Sequence, residues 1–249
     1  MTGPGQPPPS AGPPARLAIM QPYFFPYLGH FQLIAASDRW IVFDIVKYQK
    51  RSWMNRNRIL HPTQGWQYVN VPVHDAPSGL VSDTRVIDKD AALSRILGQL
   101  EHYRRRAPHF AAVTDMVRQT FARAEGDRLV DLSLQSLLVP CERLGLQMDW
   151  SICSRMDLEL PPVVHPGQWA LEICSAVGAA SYINPASGRE LFQPGEWAAR
   201  GIGLEFLEPR LFNYPCRPYE FVASLSILDV MMWNEPAVIL QHLAAPVSA

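Results

Sequence analysis

The run Asn55-Arg56-Asn57-Arg58 brings two side-chain amides and two guanidinium groups together within four residues. Guanidinium groups pair with phosphate or carboxylate through two parallel hydrogen bonds, and amides distinguish hydroxyl from carbonyl groups. In extended backbone, Asn55 and Asn57 face one way and Arg56 and Arg58 the other. We therefore predict that one pair binds a ligand and the other is structural. The alternative is a solvated loop with surface ion pairs.

Two polar residues end the apolar segments that precede this run. Gln21 closes the segment 17–21, and Asp44 closes the segment 40–44. If both segments are parallel strands joined by a helix, their carboxyl ends meet at the sheet edge where α/β proteins bind ligands. Asp44 is then the best candidate for an acid, a base or a hydroxyl-binding carboxylate, although a loop-capping aspartate has the same position. Asp44, Lys50 and Asn55 are the predicted catalytic residues.

The segment between these strands is rich in aromatic residues stiffened by Pro22 and Pro26. Tyr23 is predicted to contact the substrate. His30, in the sequence PYLGH, is similar in position to the second histidine of the HxGH signature of nucleotidyl transferases, but Tyr27 stands where the first histidine belongs. We favour a helical histidine, either on the surface or packed, over a phosphate-binding one.

Further candidates for substrate binding lie downstream. Asn184, Ser187 and Gly188 follow a predicted strand, where a hydroxyl and backbone amides can bind an anion; a plain turn has the same composition. Ser226 and Asp229 are spaced to share a helix face, with helix capping an equal alternative for Ser226. Tyr214 precedes Pro215 in a loop and is placed to cover a ring-shaped ligand. We add these six residues to Gln21, Tyr23, Arg56, Asn57 and Arg58 as predicted substrate contacts.

The elements that would position these residues describe an α/β protein with an open, mostly parallel sheet of the HUP/Rossmann-like kind and flanking helices. Apolar runs predict strands at 17–21, 40–44, 67–73, 149–153, 181–184 and 203–207, with an edge segment at 84–87. Apolar spacing predicts a helical section over about 91–145, in which Pro140 is expected to kink the third helix or end it early. Other helices are predicted after the first strand, from about Phe31, and at 168–177, 196–199, 221–233 and from Pro236. We expect both α/β parts to share one sheet.

Composition restricts the class of protein. With 249 residues, of which 48% are hydrophobic and 18% charged, the chain can bury one large core. We expect a disordered Pro/Gly-rich tail over residues 1–15, then a single domain over 16–246. A net charge of -1 gives no reason to expect nucleic-acid or lipid binding. No apolar run reaches a membrane span and no signal-peptide pattern is present, which favours a cytoplasmic protein. Neither the cysteines nor the histidines have metal-site spacing.

Three blocks of this sequence resemble the WbqC-like family. They are QPYFFPYLGHFQLI with VFDIVKYQKRSWMNRNRI, then YINPASGRELF, and then FVASLSILDVMMWN. The resemblance implies an enzyme of surface-polysaccharide or natural-product biosynthesis that acts on an amino-sugar or nucleotide-linked intermediate. It points to Pro22 and to eleven of the site residues already named: Gln21, Asp44, Lys50, Asn55, Arg56, Asn57, Arg58, Ser187, Gly188, Ser226 and Asp229. Three positions depart from the family pattern: Met20 replaces a frequent histidine, Ile45 a second aspartate and Cys216 a glutamine. If the missing imidazole or paired carboxylate is catalytic in the family, this chain has altered specificity or activity.

The leading hypothesis is a transferase that adds an acyl or aminoacyl group to an amine on a sugar or related small metabolite. Asp44 would orient or deprotonate the acceptor, Lys50, Arg56 and Arg58 would hold a phosphate or carboxylate, and Asn55 and Ser187 would bind developing oxygen charge. One rival is nucleotidyl transfer or ATP-dependent ligation on a HUP-like sheet. Another is a non-catalytic sugar- or nucleotide-binding accessory protein. The substrate, any cofactor and the oligomeric state stay open.

Overall fold

The computed structural model describes residues 13, 15–74 and 76–244. The predicted tail and the end of the predicted domain lie largely outside this part of the chain. The strands are β1 Arg16–Met20, β2 Arg39–Val42, β3 Arg56–Leu60, β4 Trp66–Asn70, β5 Val73–His74, β6 Arg85–Val86, β7 Trp150–Ile152, β8 Ser181–Pro185 and β9 Gly203–Leu207. The α-helices are α1 Leu28–Ala35, α2 Lys89–Leu100, α3 Phe110–Arg123, α4 Leu129–Leu144, α5 Gln168–Val177, α6 Pro194–Arg200, α7 Ile227–Trp233 and α8 Pro236–Ala244.

Five parallel strands form the central sheet in the order β7-β2-β1-β8-β9. The predicted α/β class and the single shared sheet are therefore confirmed. Numbered by their order along the chain, these strands run 3-2-1-4-5, which is the order of a doubly wound sheet. The chain reverses its direction of travel across the sheet between β1 and β8. The carboxyl ends of these two strands consequently border a crevice.

The central strands are apolar throughout because helices cover both faces of the sheet. Leu17, Ile19 and Ile41 point to one face, where they pack with Leu171 of α5 and Trp197 of α6. The intervening residues Ala18, Trp40 and Val42 point to the other face and join the larger core with α1 and the helical section. The two-residue side-chain period of a strand thus divides the protein into two apolar cores.

The helical section predicted for about 91–145 is present as α2, α3 and α4, which pack mainly through one another and the larger core. The expectation that Pro140 would end the third helix is wrong, since α4 continues to Leu144. Leu137, Cys141 and Leu144 are all buried around the proline. Their packing outweighs the loss of one backbone donor.

A second correction concerns the basic run, which the sequence placed in a loop. Residues 56–60 form β3, which pairs with β4 as an antiparallel hairpin outside the central sheet. The predicted strand at 67–73 is β4, shortened to Trp66–Asn70. β3 was missed because three of its five residues are polar. Its Ile59 and Leu60 are buried in the larger core, and its Arg56 and Arg58 lie over the Tyr68 and Trp66 rings of β4.

The predicted helix at 221–233 begins only at Ile227. The residues before it belong to an irregular stretch, in which Ser224 adopts φ 56°, a left-handed value incompatible with helix. The edge strand predicted at 84–87 is β6, and it pairs with β5. No helix within residues 13, 15–74 and 76–244 has the length and apolar character needed to cross a bilayer.

Ile41 provides a test of this architecture, because it is fully buried on β2 between β1 and β7. Replacing it with alanine removes apolar contacts and leaves a cavity, so Ile41→Ala should lower the unfolding free energy by about 2–5 kcal/mol. Val238→Ala, at a side chain 48% exposed on α8, should change it by no more than about 0.5 kcal/mol. Urea denaturation of both variants checks the prediction. Equal effects would contradict the burial of Ile41 in the core of the sheet.

Candidate functional site

A cavity of about 450 Å³ lies beyond the carboxyl ends of β1 and β8, at the point where the sheet order reverses. Met20 ends β1 and Pro185 ends β8, and both line it. Ten of its lining residues come from the segment 208–225, which connects β9 to α7 and which we call the cover segment. This is the position where open α/β sheets bind ligands.

Aromatic rings form much of the wall. Tyr23, Tyr27 and Trp53 line it from the first half of the chain, and Phe212, Tyr214 and Phe221 line it from the cover segment. Burial raises the pKa of Tyr23, and proximity to Tyr27 adds to the effect. Burial likewise raises the pKa of Tyr27. These phenols are therefore neutral near pH 7, and they offer hydroxyl groups and flat apolar faces to a ligand.

Arg58 brings positive charge to the cavity. Its guanidinium carbon lies 5.4 Å from the Trp53 ring centroid and 5.1 Å from that of Trp66, and its Nη2 donates to the Ser224 carbonyl at 3.2 Å. Its Nε is buried and has no hydrogen-bond partner among the described residues. The aromatic neighbours hold the guanidinium in place while leaving donor capacity for an anion.

Arg210 is the other cationic residue of the described lining, and neither aspartate nor glutamate occurs among the described residues that line this cavity. Part of the Arg210 guanidinium is occupied by the carbonyls of His242 and Leu243 on α8. Gln32 fixes the Arg210 backbone through hydrogen bonds of 3.0 and 3.1 Å. The cavity therefore favours neutral or anionic ligands over cationic ones.

His30 also lines the cavity, from the first turn of α1. Its side chain is only 2% exposed, and its ring centroid lies 4.8 Å from that of Tyr23. The sequence left a surface and a packed helical histidine open, and this burial agrees with the packed one. It did not anticipate that the histidine would border the cavity.

The loop that carries Tyr23 is held in place by side chains of the predicted motif. The Asn57 amide donates to the Phe24 carbonyl at 3.1 Å, and the Ser226 hydroxyl donates to the Phe25 carbonyl at 2.7 Å. Ser226 also accepts from the Leu228 backbone at 3.2 Å and so caps α7. Asn57 lines the cavity, whereas Ser226 lies outside its described lining. Both residues position the aromatic wall.

Asp229 is buried beneath the cover segment. Its carboxylate accepts hydrogen bonds from the Tyr103 hydroxyl at 2.5 Å and the Tyr214 hydroxyl at 2.6 Å. The Tyr103 oxygen in turn accepts from the Leu60 backbone at 2.9 Å. Burial raises the pKa of Asp229, and the two tyrosine hydrogen bonds oppose that shift only in part. Asp229 therefore holds Tyr214 in the cavity wall without lining the cavity itself.

Asp44 follows β2 at the predicted sheet edge, but its side chain turns toward the end of β7. It is fully buried and accepts from the Ser154 backbone at 2.9 Å and from the Ser154 hydroxyl at 2.6 Å. Burial raises the pKa of Asp44 against the effect of these hydrogen bonds. The structure does not bring this carboxylate into the described lining of the cavity.

Three contacts were predicted at the end of β8 and just after it, namely Asn184, Ser187 and Gly188, and one of them lines the cavity. Ser187 lines the cavity. The Asn184 amide instead donates to the Pro185 carbonyl, and its oxygen accepts from the Tyr182 hydroxyl at 2.8 Å. A side chain at Gly188 would place its Cβ 2.3 Å from the Asn184 amide nitrogen. Asn184 and Gly188 therefore shape the turn, which is a short 3-10 helix, Ala186–Leu191.

Four further predicted residues lie outside the described lining. Gln21 is half-buried and Lys50 is exposed. The Asn55 amide donates to the Val71 carbonyl at 2.8 Å. Arg56 stacks on Tyr68, with its guanidinium carbon 4.1 Å from the ring centroid, and bonds the Arg51 carbonyl. The cavity thus brings together Tyr23, Asn57, Arg58, Ser187 and Tyr214 from the predicted set, and their roles toward a ligand stay predictions.

Sequence reasoning missed most of the cover segment, Trp53 and Arg210. The aromatic and proline-rich composition of 209–221 was a signal for a structured loop, but it was used only for Tyr214. Within the described ranges, no cluster of three or more His, Cys, Asp or Glu side chains could hold a metal ion.

Fold and cavity together define an α/β protein with a doubly wound parallel sheet and a cavity at its switch point. The sequence matches the WbqC-like protein family over residues 21–240, and the chain belongs to that family. It is similar to the uncharacterized protein Rv1507c of Mycobacterium tuberculosis (strain ATCC 25618 / H37Rv), with 29% identity over 224 residues that cover 87% of this chain and 92% of the relative. No solved structure matches it significantly.

Of the three departures from the family pattern, Met20 lies in the cavity wall. Ile45 is half-buried after β2, and the Cys216 thiol is buried and contacts the Tyr219 carbonyl at 3.5 Å. The departure at Met20 is therefore the one placed to contact a ligand directly.

Asp229 permits a test of the hydrogen-bond arrangement beneath the cavity. Because its pKa is raised above the ordinary value of 3.8, the native state binds its proton more strongly than the unfolded state. Its contribution to the unfolding free energy should therefore fall as pH rises through the native pKa. Asp229→Asn removes this titration, so the stability of the wild type minus that of the variant should decline as pH rises above 3.8 toward the raised native pKa. Urea denaturation across pH measures the difference.

The exposed Asp157 supplies the control, since Asp157→Asn removes a surface carboxylate. Its stability difference from wild type should vary much less with pH. An increase in the Asp229 difference with rising pH would mean that the tyrosine hydroxyls outweigh desolvation, and it would contradict a raised pKa.

Proposed function

We propose that this protein is a transferase that adds an acyl or aminoacyl group to an amine on a sugar-sized, anionic or nucleotide-linked metabolite bound in the cavity. The observation that carries the proposal is the cavity itself: aromatic walls at the switch point, with Arg58 and Arg210 as its charged lining residues. Aromatic faces suit pyranose and nucleobase rings, and arginine suits phosphate or carboxylate. Family membership supports the small-molecule setting.

The charge of the cavity also suits an amine nucleophile. Burial and neighbouring guanidinium groups both disfavour an ammonium ion, so they lower the pKa of a bound amine. A neutral amine can attack the acyl carbon, forming the new C–N bond as the bond to the donor's leaving group breaks. The amine proton then leaves to solvent or to the departing group. In this route Asp44 does not have to accept the amine proton. Its carboxylate is already hydrogen-bonded to Ser154.

Ser187 and the tyrosine hydroxyls are the described neutral donors nearest to such chemistry, because they line the same cavity as Arg58. They would bind the acyl oxygen as charge develops on it. Tyr214 is excluded from this role, since its hydroxyl donates to Asp229, and it offers the ligand only its ring.

A direct test incubates the purified protein with a UDP-linked amino sugar and a panel of acyl and aminoacyl thioesters. Mass spectrometry should detect a product heavier by the acyl group. Absence of both product formation and sugar-nucleotide binding would refute the proposal. Binding without turnover would instead favour the accessory-protein alternative.

Arg58 should supply much of the affinity for the anionic part. Arg58→Met keeps a long apolar side chain but removes the charge, and loss of a charge-assisted hydrogen bond of about 1.5–3 kcal/mol weakens binding roughly tenfold or more. Calorimetry with the UDP-linked amino sugar measures the effect. Arg104→Met is the matched control, because Arg104 also stacks on a ring, that of Phe110, outside the described cavity lining. Equal affinity in both variants would remove Arg58 from the site.

The 3-2-1-4-5 strand order specifically favours a second candidate, nucleotidyl transfer or ATP-dependent ligation, because doubly wound sheets commonly bind nucleotides at this crevice. Fold alone does not decide the reaction. This candidate predicts ATP binding that Mg²⁺ strengthens, measured by calorimetry with and without the metal. No detectable heat under either condition would eliminate it.

A further inference from the structure

His30 combines deep burial with unused hydrogen-bonding capacity. It is 2% exposed, and neither Nδ1 nor Nε2 has a partner among the residues that the structure describes. Buried polar groups in proteins are nearly always hydrogen-bonded, because desolvating them without a partner costs free energy. Both nitrogens are also closed off by neighbouring atoms, so a ligand reaches them only when a ring packed on His30, such as that of Tyr23, shifts. A histidine retained in this state at the cavity wall points to a partner that enters from the cavity with such a shift.

The surroundings of His30 explain why a packing role alone is a poor account. Its ring contacts Tyr23, Tyr27 and Trp40, with centroid separations of 4.8, 5.4 and 6.0 Å. The Trp40 Nε1 also lacks a described partner. Phenylalanine would fill the same aromatic pocket without burying two ring nitrogens. Packing therefore accounts for the ring of His30 but does not account for its two nitrogens.

The protonation state limits what these nitrogens can bind. Burial lowers the pKa of His30 to about 3, so the imidazole is neutral near pH 7. A neutral imidazole has one donor and one acceptor, whereas Arg58 offers donors and a permanent charge. The two residues line one cavity, and they suit different parts of one ligand.

We infer that His30 is a ligand-binding residue that recognises an uncharged hydroxyl or amide group of the substrate, while Arg58 binds its anionic part. This inference rests on the proposed function in taking the cavity as the substrate site. It adds a requirement on the substrate class: a neutral polar group must stand on the same molecule as the phosphate or carboxylate. A nucleotide-linked sugar with free hydroxyl or acylamino groups meets that requirement.

The test uses wild type and three His30 variants with UDP-N-acetylglucosamine, UDP and free N-acetylglucosamine as probes. His30→Phe should weaken binding of the sugar nucleotide at least about tenfold and change UDP binding by less than about twofold, because the group assigned to His30 is a hydroxyl or acylamino group of the sugar and not the ribose or uracil that UDP also carries. The same variant should unfold at a higher temperature than wild type, since it no longer buries unpartnered nitrogens. A structural role would instead lower stability and leave affinity unchanged.

His30→Asn and His30→Gln keep one donor and one acceptor near the positions of Nδ1 and Nε2 respectively. At least one of them should restore part of the affinity that phenylalanine loses. Imidazole ¹⁵N NMR of wild type provides a readout that needs no variant to fold. The His30 nitrogen resonances should shift when the sugar nucleotide is added.

The outcomes separate this inference from the proposed function. Equal sugar-nucleotide affinity of wild type and His30→Phe, with unmoved nitrogen resonances, would overturn the role of His30 and leave the proposed function standing. Shifts caused by N-acetylglucosamine, without any effect of UDP or of Arg58→Met, would support His30 and refute the anionic part of the proposed function. Resonances that no probe moves would overturn the inference in favour of a bound water, whatever turnover shows.

Discussion

The Asp229 carboxylate connects several parts of this protein that are separate along the chain. It accepts from Tyr103, which follows α2, and from Tyr214 of the cover segment, while Tyr103 accepts from the backbone of β3. One buried carboxylate thereby joins the helical section, the hairpin, the cover segment and α7. Removing it would leave two buried hydroxyls to find other partners, which is costly in a low-dielectric interior. The cavity keeps its shape because this group is satisfied.

The central sheet supplies the second constraint. Reversal of strand order between β1 and β8 leaves a crevice beyond the carboxyl ends of these two strands. The aromatic loop after β1, the hairpin and the cover segment all converge on that crevice. Hydrogen bonds from Asn57 and Ser226 to adjacent carbonyls of the aromatic loop fix its position against the hairpin and α7. The site is therefore built from loops, but loops whose backbones are tied to regular elements.

Much of this could be predicted from local patterns. Apolar runs placed the strands of the central sheet to within a few residues, and α5 and β9 had the observed limits, because burial on both faces leaves a strong signal. β3 could not be found in this way. Arg56, Asn57 and Arg58 are polar, and their strand depends on Tyr68 and Trp66, whose pairing is known only once the hairpin has formed. The start of α7 was misplaced for a related reason: the apolar residues 221–225 face the cavity instead of continuing the helix.

The location of the candidate site could be predicted from the sequence, but the residues that line it could be predicted only in part. Sequence reasoning treated polar residues at strand ends as ligand contacts, but a side chain at such a position can equally well form hydrogen bonds within the protein. Asp44 turns to Ser154, Asn184 to its own turn and Asp229 to two tyrosines.

His30 shows the opposite case, since an ordinary expectation of packing led to a group whose nitrogens have no described protein partner. Only the three-dimensional arrangement separates these cases, because the number of hydrogen bonds already made decides how much binding capacity a polar group still has. By that criterion the cavity has a charged end at Arg58 and a neutral polar position at His30. A ligand that satisfies both must carry both kinds of group.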